Sequence, residues 1–158
     1  MKSVKVLRLR YLALFVTVVI LFVACDTTTT PYHHYEPLSS EGWARTDTLH
    51  FQLPPAPSQG MYTLFVGLRW SPQFPYEGFW IVADTHSPFF HTDTLYFHTA
   101  QPDGLSTGQG IRLRQSEQPL FRIALQEGQS ISVNLRHIMH REVLPALSDV
   151  GVRMEKVR

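Results

Sequence analysis

Cys25 is the only cysteine in this 158-residue chain, and its neighbours decide what its sulfur can do. Val23 and Ala24 stand directly before it, small to medium side chains of the kind a lipoprotein signal peptidase reads. Cys25 is therefore expected to become residue one of the mature protein, its sulfur thioether-linked to a diacylglyceryl group and its new amino terminus acylated. Phe22 is a departure, since Leu is usual there. The alternative is an ordinary secreted protein with a free thiol, a liability in an oxidising compartment.

The segment before Cys25 supports the first reading. Lys2, Lys5, Arg8 and Arg10 make a basic start, and Tyr11 to Ala24 is an almost unbroken apolar run. That is the plan of a signal peptide, residues 1–24. A membrane-spanning helix needs about 20 apolar residues, and this run stops short before a Thr- and Pro-rich stretch. Each buried acyl methylene is worth roughly 0.8 kcal/mol, and stable anchoring takes two chains. A lipidated Cys25 thus ties the chain to a membrane. No other cofactor is expected.

Further candidates for chemistry are sparse. The adjacent His33 and His34 lack the spaced third and fourth ligands of a metal site, so no metal is expected. Asp47 and Asp93 lie in twin Thr-Asp-Thr-Leu segments, where Asp and Thr side chains satisfy backbone groups at strand starts. The glycines of GLSTGQG precede an alternating segment and read as a tight loop or bulge. GLSTG has the letters of GxSxG but leads into an alternating segment and not into a helix, so it is not read as a nucleophile elbow, and neither HExxH nor a phosphate-cradling loop is present; the chain is expected not to be an enzyme.

Binding residues are more numerous. Phe74, Tyr76, Phe79 and Trp80, followed by Phe89 and Phe90, set six large rings around a Pro-rich loop and a strand. Such rings on a sandwich surface can hold glycans or protein partners, and the alternative is a loop that folds back to cap one end. His137 and His140, beside Arg136 and Arg141, form a small basic patch that could receive an acidic surface. A solvated strand end is the alternative.

Charge excludes one partner. The whole chain carries +1, but residues 1–24 hold four of its fourteen Lys and Arg and none of its thirteen acids. The mature chain is therefore close to −3, and nucleic acid is not an expected partner.

These residues need a scaffold. Residues 25–42 are polar and broken by Pro31 and Pro37, which predicts a lipidated flexible tether able to reach roughly 50 to 60 Å when extended. From Trp43 to residue 158 the pattern has period two. Leu49, Phe51 and Leu53 oppose Thr48, His50 and Gln52, and Tyr62, Leu64, Val66, Leu68 and Trp70 oppose Thr63, Gly67 and Arg69. GIRLRQ, QSISVNLR and DVGVRME repeat the alternation. FWIVAD and TLYFHT, apolar on both faces, are expected to be central strands, and PLFRIAL another. HREVLPAL could form a helical turn that Pro145 keeps short. The predicted fold is all-β, an antiparallel β-sandwich of jelly-roll type with about eight short strands.

Read in order, Cys25-Asp26, GWARTDTLHF, the LRW strand, FPYEGFW, the second DTL, the PDG and GQG loop and the C-terminal LSDVGVRMEK below Met139 resemble the GldH gliding-motility lipoproteins of Bacteroidota over nearly the whole mature chain. Gly78 stands where that family usually has Asn, and His137 and His140 where it has Gln and Arg. The resemblance implies a noncatalytic envelope lipoprotein associated with gliding and type IX secretion, its partners the lipid membrane and envelope proteins of that assembly. A glycan-binding module remains the alternative. The expected location is the outer membrane with the domain facing the periplasm, ahead of the inner membrane.

Overall fold

The computed structural model describes residues 32–86, 89–101 and 103–157; Cys25 and the expected signal peptide lie outside them. The strands are β1 (Tyr32–Pro37), β2 (Trp43–Ala44), β3 (Leu49–Gln52), β4 (Gly60–Trp70), β5 (Gly78–His86), β6 (His91–His98), β7 (Arg114–Leu125), β8 (Ser132–His137), β9 (Val143–Leu144) and β10 (Leu147–Lys156). One four-stranded sheet has the order β1-β10-β4-β7, the other β3-β8-β5-β6. Pairing is antiparallel throughout. β2 and β9 make a separate two-stranded ribbon. The predicted all-β antiparallel sandwich is the observed fold class.

Alternation builds the core. Tyr62, Leu64, Val66, Leu68 and Trp70 on β4 all turn inward, as do Val150, Val152 and Met154 on β10. The second sheet answers with Phe51, Phe79, Ile81, Ala83, Phe97, Val133 and Leu135. Each large side chain taken from water here contributes about 1.5–3 kcal/mol.

Antiparallel pairing in both sheets gives the sandwich two distinct ends. At the near end β1 begins, β10 finishes, and the β3–β4, β5–β6 and β7–β8 connections turn. At the far end lie the β4–β5 and β6–β7 connections and the β2–β9 ribbon.

Four expectations are corrected. The tether was expected to run to Gly42, yet β1 lies within it and pairs with β10 from Tyr32↔Met154 to Pro37↔Asp149. An edge strand needs few core residues, so His33, His34 and Glu36 gave no apolar period. The alternation in GIRLRQ has no strand beneath it before Arg114: Gly110 takes φ +114°, and Ile111 is 94% exposed. TLYFHT is an edge strand and not a central one, its outward apolar character coming from Tyr96, which packs on Trp80. HREVLPAL forms β9 and a turn in which Ala146 takes φ +61°, not a helical turn.

Candidate functional site

Strand phase divides the expected aromatic surface. Phe79 and Trp80 are successive residues of β5, so they face opposite ways. Phe79 is fully buried, 5.6 Å from the Phe74 ring. Phe74 is itself buried and meets Tyr76 edge to face at 5.4 Å. The β4–β5 loop therefore folds back and caps the far end, and Phe74 and Phe79 leave the candidate surface. Tyr76 packs half-buried against the same cluster. Trp80 alone of these four stands out in solvent, 45% exposed.

The basic patch divides in the same way. His137 continues the inward series Val133, Leu135 and is buried, its ring 5.5 Å from Trp43. Its Nε2–H donates to the Trp43 carbonyl oxygen at 3.1 Å, and Nδ1 accepts from the Met139 amide at 3.4 Å. Both nitrogens are thus used by the neutral ring. Burial holds its pKa below the ordinary 6.5, against the raising effect of the Trp43 hydrogen bond. Arg136 points outward to Asp84, Nε to Oδ2 3.7 Å, and His140 is exposed beyond the strand end. Arg136 and His140 are surface residues, whereas His137 is a core residue.

What remains on the outer face of the β3-β8-β5-β6 sheet is a row of rings. Trp80 lies 4.9 Å from Tyr96, and Tyr96 lies 4.7 Å from His98. Gly78 makes room for this row, because a Cβ there would meet the Tyr96 hydroxyl at 2.6 Å. Ile138, 45% exposed, adjoins Trp80, whose carbonyl accepts its amide proton. Arg136, Asp84 and Thr92 border the row, Thr92 Oγ1 donating to Asp84 at 2.6 Å.

The far end carries a second apolar feature that sequence reading missed. In the β6–β7 connection Leu105, Ile111 and Leu113 are exposed. The loop is nonetheless fixed at its base: Trp70 Nε1 donates to Ser106 Oγ at 3.2 Å, and Gln109 and Gln115 exchange backbone hydrogen bonds. The false alternation of GIRLRQ was its only signal.

The opposite sheet face is organised around Tyr35, also missed. Its phenol ring lies against Gly67 and Gly151 and carries the Arg69 guanidinium 4.0 Å from its centroid. Glu117 accepts from Arg153 Nε at 2.8 Å and lies 3.2 Å from His33 Nε2. Arg153 also covers the Phe65 ring at 3.9 Å and pairs with Glu155. Burial, then the Glu117 charge, push the Tyr35 pKa up to about 12.

Asp47 and Asp93 are not brought together. Asp47 precedes edge strand β3 and Asp93 lies in the opposite edge β6, with β8 and β5 between the two edges. Among the described residues no three His, Cys, Asp or Glu side chains converge as metal ligands.

Known structures of similar shape include a family 35 carbohydrate-binding module from Clostridium thermocellum, with TM-score 0.42, 10% identity, and coverage of 80% of this chain and 90% of that one. A ruminal GH26 endo-β-1,4-mannanase gives TM-score 0.45 at 10% identity, over 84% of this chain and 27% of that one. Sequence relatives are nearer. The gliding motility lipoprotein GldH of Flavobacterium johnsoniae is 24% identical over 159 residues, 95% of this chain and 99% of its own. A GldH homolog from Christiangramia forsetii is 24% identical over 154 residues, 90% of this chain and 93% of its own. The family pattern of the GldH lipoproteins matches residues 30–154, from the threshold of β1 into β10, and by that match the chain belongs to the GldH lipoprotein family.

Proposed function

We propose that this protein is a lipid-anchored component of the cell envelope that serves gliding motility and type IX secretion by binding other envelope proteins, and that it catalyses no reaction. The anchor is the diacylglyceryl thioether and N-acyl chain on Cys25. The domain faces the periplasm from the outer membrane, ahead of the inner membrane.

The observation that carries the binding role is the far-end loop, where Ile111 is 94% and Leu105 64% exposed on a hydrogen-bonded base. Exposed apolar side chains on a fixed support are what a protein partner covers. The names of the relatives, gliding motility lipoproteins, supply the assembly in which that partner is sought.

The test is photocrosslinking in cells from a benzoylphenylalanine placed at Ile111, with Cys25→Ala as control. Adducts with identified gliding or secretion components, lost in the control, are expected. Recovery of the chain without any such component overturns the binding role.

A glycan-binding reading draws on the exposed Trp80 beside Tyr96, Arg136 and Asp84. Retardation of the protein in polysaccharide-containing native gels, abolished by Trp80→Ala, is its expected sign. Unchanged migration in every envelope polysaccharide removes it.

A further inference from the structure

The β5–β6 connection turns at the near end and presents Phe89 and Phe90, 72% and 68% exposed. Beside them runs a groove of about 330 Å³, its wall continued by Phe121 and Ile123 and its rim formed by Arg122. Thr85 also lines it, and the buried Thr85 hydroxyl has no hydrogen-bond partner among the described residues. Two adjacent rings held out in water are a conspicuous apolar surface for a chain of this size.

Chain connectivity says what lies next to them. β1 begins at Tyr32, at this same end, and only residues 26–31 separate it from Cys25. Covalent geometry limits that connection to about 25 Å in any conformation. A bilayer holding Cys25 is therefore within reach of the end that carries the two rings.

We propose that Phe89 and Phe90 insert into the interface of the membrane that holds Cys25, and that the adjoining groove receives a phospholipid from it. The proposal rests on lipid attachment at Cys25. Aromatic rings seat at the boundary between headgroups and acyl chains, about 5–10 Å deep. Arg122 at the rim supplies a cation for the lipid phosphate, and the unpartnered Thr85 hydroxyl a donor for an ester oxygen. The short connection makes docking intramolecular, at an effective concentration in the millimolar range, so a contact too weak to recruit a free domain suffices here. With tip and anchor both on the bilayer, β4's eleven residues, at about 3.4 Å each, carry the far-end loop roughly 35 Å outward.

The experiment uses the full lipidated protein in vesicles of phosphatidylethanolamine and phosphatidylglycerol, where the acylated Cys25 sulfur is blocked to labelling. A nitroxide is attached at Phe90→Cys or, in a separate sample, at Ile111→Cys, and its collisions with oxygen and with an aqueous nickel chelate are measured. Position 90 is expected to meet oxygen preferentially and position 111 the chelate. A third label at Glu127→Cys, on the β7–β8 connection of the same end, is compared with Phe89 and Phe90 intact and with both changed to Ser. Its ratio of oxygen to chelate collisions should fall towards that of position 111 in the Ser variant. Aqueous collisions at position 90 in protein whose mass includes the lipid overturn membrane docking and leave the anchor standing. Shielding of position 90 from both reagents assigns the tip to a second copy and overturns it too. A chain without the lipid mass overturns the anchor, and this proposal with it.

Discussion

The Tyr35 hydroxyl stands 3.4 Å from a carboxylate oxygen of Glu117, although β1 and β7 are opposite edges of their sheet. Two strands lie between them, and the phenol crosses both because each offers a glycine beneath it. A Cβ at Gly151 would meet Tyr35 Cδ1 at 2.7 Å, and one at Gly67 the hydroxyl at 2.2 Å. The first strand is thereby clasped to the last edge by a side chain as well as by its backbone ladder.

The glycine trough makes a specific prediction about coupling. Gly67→Ala is expected to destabilise the domain by about 1–3 kcal/mol, the usual cost of overpacking, and the loss should largely vanish in a Tyr35→Ser background. Urea titrations of the four proteins in the cycle measure this. Equal losses in both backgrounds would show that Gly67 serves something other than the Tyr35 ring.

Tyr35 also predicts behaviour in alkali. Its pKa is pushed up to about 12 from 10.0, so between those values the unfolded chain has lost a proton that the folded chain keeps. Stability should fall as pH rises through that window, and Tyr35→Phe should flatten the decline. Ultraviolet titration should show one late phenol that the variant lacks.

His137 sets the opposite slope. Burial lowers its folded pKa below 6.5, so below pH 6.5 the unfolded chain binds a proton that the folded chain refuses. Its contribution is complete above that pH and is lost as pH falls towards the folded value. Chemical denaturation between pH 7.5 and 5 should show the loss, and His137→Gln should remove this part of it. An identical pH slope in the variant would contradict the assignment.

Neighbouring rings on β5 should differ sharply. Phe79→Ala empties a fully buried position and is expected to cost about 3–5 kcal/mol, whereas Trp80→Ala on the outer face should cost about 1 kcal/mol or less. Thermal unfolding of the two variants makes the comparison. Comparable losses would mean that the phase of β5 is wrong.

The same phase explains what the sequence made legible. β4 and β10 could be read from their alternation because each puts one face in the core, and Tyr62 to Trp70 appear where period two sets them. His137 was readable too: it continues the beat of Val133 and Leu135, but its chemistry drew attention to the surface instead. β1 was not readable. Its His33 and Tyr35 face outward and are held by Glu117, a residue 82 positions from Tyr35, and no local pattern encodes such a contact. Ile111 and Leu113 alternate like a strand yet have no strand partner, because Gly110 turns the chain before pairing begins. The aromatic surface was legible as a set of rings, and its division was fixed by the register of β5 against β6 and β8.

Because β1 starts at the near end and runs towards the far end beside β10, the domain has a favourable direction of pull. If Cys25 is held by lipid and a partner sits on the far-end loop, as proposed above, tension between them would act along β1 and not across it. The bonds between β1 and β10 then carry the load together, in shear, while a sideways pull would open them one by one. The Tyr35 clasp adds a side-chain hook across the direction of sliding. The first strand is thus placed to act as a mechanical strap.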